Sequence, residues 1–179
     1  AEGMISLFKS REYFVEELDA FFAKTDKNIG SWNPGPYYWH GNQPDIHAAF
    51  LFNAAGRPDL TQKWSRWILD HKYANRYDGI DGNDDGGTLS AWYIFGALGL
   101  YPVAGTDKYE LASPLFEKAE VKLKNKPLVI VAENYAPDRF YVRKVLLNDK
   151  PLDRPWIKHS EIENGGVLRF VMDSEPAKH

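Results

Sequence analysis

The sequence predicts an α+β fold, in which helices come first along the chain and short strands follow. Within Arg11–Leu100 the apolar residues recur at helical spacing. After Pro102 the chain consists of short segments rich in Val, Ile, Leu and Tyr, each bounded by Gly, Pro, Asn or Asp, which is typical of strands. We therefore place a boundary near residues 102–107, between a helical part at residues 1–104 and a strand region at residues 105–179.

Four helices are expected in the helical part. Apolar and aromatic residues mark one face of a helix over residues 10–24. A first-turn proline opens the second helix, at Pro44, and the third, at Pro58. The second helix is expected to run until Gly56. Thr88 can cap the fourth helix, which carries the almost uniformly apolar segment LSAWYIFGALGL and is therefore expected to be buried on most sides.

Five strand segments are expected in the strand region: KYELAS, EVKL, LVIVAEN, YVRKVLLN and VLRFVM. The segments LNDKPL at Leu147–Leu152 and ENGG at Glu163–Gly166 have the composition of tight turns. Because tight turns connect neighbouring strands that run in opposite directions, we expect an antiparallel arrangement.

Composition excludes several classes of protein. The chain has 179 residues, 44% of them hydrophobic and 15% aromatic, which indicates a globular protein with a core. A net charge of -3 shows no basic patch for nucleic acid, and no apolar run reaches the roughly 18 residues that a membrane span needs. The absence of cysteine excludes a disulfide scaffold, a thiol nucleophile and thiolate metal sites.

The segment YDGIDGNDDGGTLSAW, residues 77–92, contains an unusual concentration of Asp and Gly, and we call residues 81–87 the acidic loop. A calcium-binding EF-hand is excluded, because Trp92 stands where that motif requires a bidentate Glu. A helix N-terminus would explain the acidic residues, since carboxylates bind free amides there. An active site is the other interpretation, because a carboxylate held in its ionised form can activate water.

A second polar segment, GPYYWHGNQPDIH at Gly35–His47, combines three aromatic residues with two His, an Asn, a Gln and an Asp. We call it the aromatic loop. Aromatic faces beside amide and carboxylate groups suit a sugar ring, whose C–H faces stack and whose hydroxyls form hydrogen bonds. Core packing remains the alternative for the aromatic residues, as does a helix-end role for His40 and His47. Two such segments, each before an aromatic helix, favour one site built from both.

Three segments of the chain resemble glycoside hydrolase family 92, the calcium-dependent α-mannosidases of mainly bacterial origin. HGNQPDIHAAFLFN, residues 40–53, resembles the family's HGNEPxHHxxYLYN. GIDGNDDGGTLSAWYIFGALGLYPVAGTDKYELASPLFEKAEVKL, residues 79–123, resembles GxxGNEDxGQxSAWYVFSALGFYPVxPGxxxYxxGSPLFxKVxI. LNDKPLDRPWIKHSEIENGGVLRFVM, residues 147–172, resembles LNGKPxxxxxIxHxDIxxGGxLxFxM. The similarity spans essentially the whole chain.

The resemblance implies an (α/α)6 toroid joined to β-sandwich elements, with the helices of this chain forming an incomplete part of the toroid. It also implies hydrolysis of α-mannosides with inversion, in which one carboxyl protonates the leaving oxygen and another deprotonates water. The family's base is the last acid of an N/D-E-D triplet, which falls on Asp85, while Asn83 and Asp84 occupy the other two positions.

Further site residues follow from the same resemblance. His40, Asn42, Gln43 and Asn83 are expected to bind the sugar. A Ca²⁺ ion that holds the O2 and O3 hydroxyls is implied, with Asp84 and Asn42 as its candidate ligands. Gln43 departs from the family, which has Glu there, and this change is expected to affect the linkage specificity and the metal affinity.

The family's general acid lies in a YxEGNxWQY segment that this chain does not contain. We therefore expect a C-terminal portion of a longer enzyme, inactive in isolation, whose partners are a mannose-containing glycan and either the N-terminal part of the same enzyme or a second copy. The family implies a periplasmic or extracellular location. A glycan-binding module without hydrolysis and a purely structural domain are the rival interpretations, and sugar affinity without turnover would favour the first of them.

Overall fold

A computed structural model describes residues 1–30 and 35–177 of the chain. It contains both helices and two β-sheets, which confirms the predicted α+β class. The chain forms two compact units, Ala1–Tyr93 and Ile94–His179. The assignment of the helices to a partial toroid and the domain boundary at residue 104 stay predictions. None of the described helices is long and apolar enough to cross a membrane.

The first unit is helical. Its helices are α1 (Glu2–Ile5), α2 (Arg11–Ala23), α3 (Leu51–Ala54), α4 (Pro58–His71) and α5 (Thr88–Ala97), and the last of these continues into the second unit. The predicted first, third and fourth helices correspond to α2, α4 and α5. Ser10 caps α2 by accepting a hydrogen bond from the backbone of Tyr13 at 3.1 Å, which satisfies an amide that the helix itself leaves free.

The prediction of a helix from Pro44 to Gly56 is wrong in its first half. The chain makes consecutive tight turns there, with Asp45 N donating to Asn42 O at 2.8 Å and Ala48 N donating to Asp45 O at 2.8 Å. A 3₁₀ turn over Ala48–Phe50 then leads into α3. The carboxylate of Asp45 also accepts a hydrogen bond from Trp39 N at 3.1 Å, and this local bond holds the turn in place of a helix.

Aromatic side chains form the core of the first unit. Phe22 of α2 stacks on Trp64 of α4 with ring centroids 5.1 Å apart, and it packs against Tyr38 at 4.5 Å. The indole of Trp64 donates to the carboxylate of Asp19 at 2.6 Å, so its polar atom is satisfied. Because Tyr38 belongs to the aromatic loop and is only 2% exposed, the core fixes this end of the loop.

Besides the end of α5, the described residues of the second unit form eight strands and one short helix: β1 (Leu100–Pro102), β2 (Lys108–Leu111), β3 (Lys118–Val121), β4 (Leu128–Glu133), β5 (Tyr141–Leu147), β6 (Lys150–Pro151), β7 (Trp156–Lys158), α6 (His159–Ile162) and β8 (Gly166–Asp173). The strands form a three-stranded sheet in the order β1-β2-β7 and a five-stranded sheet in the order β3-β4-β8-β5-β6. All five predicted strand segments are present.

The predicted antiparallel arrangement is confirmed for every described strand pair except β4 and β8, which are parallel, with Leu128 opposite Gly166. β8 thereby lies between β4 and β5. Buried residues alternate with less buried ones along β4 and β8. Together with residues of the three-stranded sheet they form one core, which consists of Leu100, Leu111, Leu128, Ile130, Ala132, Val142, Leu147, Ile157, Ile162, Leu168, Phe170 and Met172.

Both predicted turns are confirmed. Asn148 and Asp149 join β5 to β6 with φ values of 51° and 63°, the left-handed conformation that a two-residue hairpin of type I′ requires. In the ENGG segment, Gly165 has a φ of 84° and its amide donates to Ile162 O at 2.9 Å. A Cβ on Gly165 would lie 2.5 Å from the carbonyl oxygen of Lys126, so glycine is required there.

Candidate active site

The aromatic loop and the acidic loop meet backbone to backbone at two glycines. A Cβ added to Gly41 would lie 2.1 Å from the carbonyl oxygen of Asp81 and 2.7 Å from the indole of Trp39. A Cβ added to Gly82 would lie 3.3 Å from Cα of Gly41. Position 41 therefore accommodates only glycine, because a side chain there would overlap backbone atoms. This contact brings the two polar segments of the sequence together.

Gln43 and Asp85 connect the two loops through their side chains. Nε2 of Gln43 donates a hydrogen bond to Oδ2 of Asp85 at 2.5 Å, and both residues are exposed. Asp85 has a φ of 49°, a left-handed conformation that Asp tolerates better than most residues. Within residues 1–30 and 35–177, no second side chain pairs with this carboxylate. The geometry leaves one carboxylate oxygen available to a ligand or a water molecule.

Asp84 closes the first turn of α5, which begins directly after the acidic loop. Its Oδ1 accepts a hydrogen bond from Ser90 N at 2.8 Å, and its backbone oxygen accepts one from Leu89 N at 3.3 Å. The prediction that Thr88 caps this helix is wrong: Thr88 is the first helical residue, and its hydroxyl donates to Asp85 O at 2.9 Å. The longer carboxylate side chain of Asp84 reaches a free amide of the first turn in its place.

His40, the residue before Gly41, is completely buried. Its Nδ1 lies 2.6 Å from the hydroxyl of Tyr38, and its Nε2 lies 2.6 Å from the hydroxyl of Tyr73. Burial, with a smaller effect from the charge of Lys72, lowers the pKa of His40 to about 3. The ring is therefore neutral at physiological pH. Both of its nitrogen atoms are occupied within the protein, and direct contact between His40 and a sugar stays a prediction.

The remaining predicted sugar-binding residues are Asn42 and Asn83, one on each loop. Asn42 is half-buried, and its backbone oxygen accepts the hydrogen bond from Asp45 N that forms the turn. Asn83 is exposed and lies between Gly82, at the glycine contact, and Asp84. The structure thus places both amides beside the junction of the loops. Their contact with a sugar, like that of Gln43, stays a prediction.

A buried ion pair, which sequence analysis missed, fixes the start of the acidic loop. Nζ of Lys72 lies 3.3 Å from Oδ2 of Asp81, and the two side chains are 1% and 0% exposed. Lys72 also donates to Asn28 O at 2.9 Å, while Asp81 accepts a hydrogen bond from Gly30 N at 2.8 Å. A lysine at the end of a helix is usually a surface residue that complements the helix dipole, so the sequence pattern gave no sign of its burial.

Tyr73 is the second residue that sequence analysis missed, and it contacts both ends of the acidic loop. Its backbone pairs with Ile80 in an isolated antiparallel bridge, and its hydroxyl donates to Leu89 O at 2.8 Å. Burial, followed by the charges of Asp84 and Asp81, raises the pKa of Tyr73 well above its ordinary value. Tyr73 is therefore a neutral hydrogen-bonding group at all physiological pH values.

The donors predicted for calcium are Asp84 and Asn42, and oxygen donors of this kind suit a hard cation. One oxygen of Asp84, however, already accepts the hydrogen bond from Ser90 N. In the described part of the chain, no group of three or more His, Cys, Asp or Glu side chains is placed to hold a metal ion. These residues do not fit a complete calcium site by themselves, and a calcium site here would need further ligands.

Comparison with known proteins shows which family the chain matches. Residues 1–174 match the family model described as the glycosyl hydrolase family 92 catalytic domain. Among curated proteins, the chain is 30% identical over 176 residues to a protein of Arthroderma benhamiae named an uncharacterized secreted glycosidase. That match covers 96% of this chain and 21% of the relative.

Two solved structures from Bacteroides thetaiotaomicron are also similar. One is a family GH92 α-mannosidase in complex with mannoimidazole, 36% identical with a TM-score of 0.82, and the match covers 93% of this chain and 23% of that one. The other is a family GH92 inverting mannosidase, 36% identical with a TM-score of 0.84, covering 98% and 26% of the two chains. The chain thus spans about a fifth to a quarter of the length of these relatives.

Proposed function

Because the chain belongs to glycosyl hydrolase family 92, we propose that it supplies the general base and part of the sugar-binding surface of an exo-acting, inverting α-mannosidase. The observation that carries this proposal is the exposed carboxylate of Asp85, held by Gln43 where the two loops meet. A carboxylate that is oriented by one hydrogen bond and open on its other oxygen can accept a proton from water.

In the proposed reaction, Asp85 accepts a proton from a water molecule as that water attacks the anomeric carbon. The bond from this carbon to the leaving oxygen breaks, and a separate carboxylic acid gives its proton to that oxygen. We assign this acid to a part of the enzyme outside the chain, so the isolated chain should show no turnover. Asp84 contributes indirectly, since its bond to Ser90 N fixes the backbone next to Asp85.

The proposed substrate is a terminal α-mannoside of a glycan, such as an N-glycan. Two similarities support this choice: one solved relative is an α-mannosidase in complex with mannoimidazole, and the other is an inverting mannosidase. Asn42, Gln43 and Asn83 offer amide groups for the sugar hydroxyls. We further propose that the enzyme binds Ca²⁺ through Asp84, Asn42 and additional ligands, and that it acts outside the cytoplasm, as the name of the secreted relative suggests.

Asp85→Asn in the complete enzyme tests the proposed base. Asn keeps the shape and can still accept the hydrogen bond from Gln43, but it cannot take a proton from water. We expect turnover of an aryl α-mannoside to fall by about 10²–10⁴-fold, with little change in melting temperature. Asp78→Asn is the matched control, because Asp78 is an exposed carboxylate of the same segment that pairs with the exposed Arg76 at 3.1 Å.

Asp85→Ala with added azide separates a base from a structural residue. Azide is a nucleophile that needs no deprotonation, so it should restore turnover and give the β-mannosyl azide from the α-mannoside. Near-normal turnover of Asp85→Asn together with a lowered melting temperature would instead assign Asp85 to the structure of the loop alone.

A further inference from the structure

We propose that the hydrogen-bonded chain Tyr38–His40–Tyr73 is a positioning device that sets the geometry of the acidic loop, with Tyr73 as the residue that holds both ends of the loop. This inference rests on the proposed function, since positioning matters to catalysis only if Asp85 acts there. The polar atoms of these side chains are bonded within the protein, because both ring nitrogens of His40 face tyrosine hydroxyls and the hydroxyl of Tyr73 donates to Leu89 O. His40 is fully buried, Tyr38 is 2% exposed and Tyr73 is half-buried.

The direction of each hydrogen bond in this chain follows from the number of available protons. The hydroxyl of Tyr73 donates its only proton to Leu89 O at 2.8 Å. Its oxygen must therefore accept the proton of His40 Nε2, at 2.6 Å. A neutral ring protonated at Nε2 has an acceptor at Nδ1, which takes the proton of the Tyr38 hydroxyl at 2.6 Å. One arrangement of protons satisfies all four groups.

The chain begins in the core and ends at the start of α5. Tyr38 packs against Phe22 with ring centroids 4.5 Å apart, so its position is fixed by the aromatic core. At the other end, Leu89 O belongs to the first turn of α5, in which Ser90 N is bonded to the carboxylate of Asp84. Displacement of this turn therefore displaces Asp84, the residue before the proposed base.

Tyr73 adds a second point of control. Its backbone pairs with Ile80, immediately before the acidic loop, while its hydroxyl binds Leu89, two residues after it. One residue thus sets the distance between the two ends of residues 81–87. Four glycine and asparagine residues within that loop offer little rigidity of their own, so the separation of its ends governs its shape.

Tyr73→Phe removes one hydroxyl from this chain and leaves the ring in place. In the complete enzyme, we expect kcat for an aryl α-mannoside to fall at least tenfold while KM stays within about twofold, because misplacement of a reacting group affects the chemical step. Amide hydrogen exchange of the peptide that contains Leu89 and Ser90 should rise at least tenfold. Tyr109→Phe is the matched control, since it also removes a hydroxyl next to a histidine, 3.0 Å from His159 Nδ1, but in the second unit.

Two substitutions of His40 distinguish positioning from general stability. Gln can reproduce the donor at Nε2 and so retain the link to Tyr73, whereas Asn can reproduce only the acceptor at Nδ1. Both place an amide in the same buried site and should lower the melting temperature. We expect the loss of kcat in His40→Gln to be less than half of the loss in His40→Asn. Equal losses in the two variants would overturn the proposal, because they would show a role in stability only.

The two readouts separate the failure of this inference from the failure of the proposed function. If Tyr73→Phe leaves hydrogen exchange at Leu89 and Ser90 unchanged, the positioning role is wrong, whatever the activity. If exchange rises while Asp85→Asn remains fully active, the hydrogen-bonded chain does position the loop, but Asp85 is not the base, and the link from this chain to catalysis falls with it.

Discussion

Substitution of Gly41 by alanine should separate the two loops that form the candidate active site. The added Cβ would start 2.1 Å from the carbonyl oxygen of Asp81, while real Cβ atoms essentially never approach another atom within 3.0 Å. The loops must therefore move apart by about 0.9 Å, so that the distance from this Cβ to Asp81 O rises from 2.1 Å to at least 3.0 Å. The obstacle is a backbone atom, and the indole of Trp39 at 2.7 Å blocks a sideways movement.

This displacement acts directly on the proposed base. Gln43 lies two residues after Gly41 on one loop, and Asp85 lies four residues after Asp81 on the other. The 2.5 Å hydrogen bond from Gln43 to Asp85 should therefore break. A misplacement of about 1 Å costs about 10²-fold in rate. Overpacking costs about 1–3 kcal/mol of stability. We therefore expect kcat/KM for an aryl α-mannoside to fall about 100-fold in the complete enzyme, with a melting temperature several degrees lower.

Gly3→Ala provides the control for this experiment. A Cβ at Gly3 meets no atom within 4 Å and the residue has no left-handed φ, so the same methyl group is added at no steric cost. It should leave kcat/KM unchanged and should not lower the melting temperature, because alanine is favoured over glycine within a helix such as α1. A Gly41→Ala enzyme with kcat/KM within twofold of the wild type and an unaltered melting curve would refute the close approach of the loops.

Three other perturbations test the buried groups and the hairpin. As pH falls from 6.5 toward 3, the free energy of unfolding should fall by at most about 1.4 kcal/mol per pH unit. In this range His40 takes up a proton in the unfolded chain, whereas the buried ring of the folded chain, with its pKa of about 3, does not. Melting curves of His40→Gln should lack this component. Lys72→Met should cost about 3–5 kcal/mol by leaving Asp81 buried without its partner, and adding Asp81→Asn should recover part of that loss in urea denaturation. Asp149→Gly should stabilise the hairpin by up to about 1 kcal/mol, since glycine adopts a φ of 63° without strain, and a lower denaturation midpoint would contradict the type I′ turn.

The strands and turns were accessible to prediction because their signals are local. Asn and Asp favour left-handed φ values in a turn between two apolar segments. Asn148 and Asp149 have such values, and the structure has the expected hairpin there. The parallel pairing of β4 with β8 has no such signal. It joins segments 38 residues apart, Leu128 opposite Gly166, and depends on which strand reaches the free edge of β4.

The candidate site was predictable as two segments but not as a set of contacts. Similarity to known motifs indicated Asp85 and Gln43, whereas the hydrogen bond between these residues, 42 positions apart, depends on the packing of the loops. Tyr73 was missed because a tyrosine after a helix has no distinctive spacing, and its role arises from a bond to Leu89. The first half of the helix predicted from Pro44 does not form, because the carboxylate of Asp45 accepts a hydrogen bond from Trp39 N and this bond competes with helical hydrogen bonds.

The central place of β8 in its sheet has a consequence for biosynthesis. The sheet order is β3-β4-β8-β5-β6, so the strand that is translated after the other four lies in the middle. Until Gly166–Asp173 has been made, the other four strands of this sheet can pair only as two separate hairpins, β3-β4 and β5-β6, each with unpaired edges. Unpaired edges recruit strands from other chains. A message truncated before this strand would therefore yield a product prone to aggregate, and completion of the second unit awaits one late segment of eight residues.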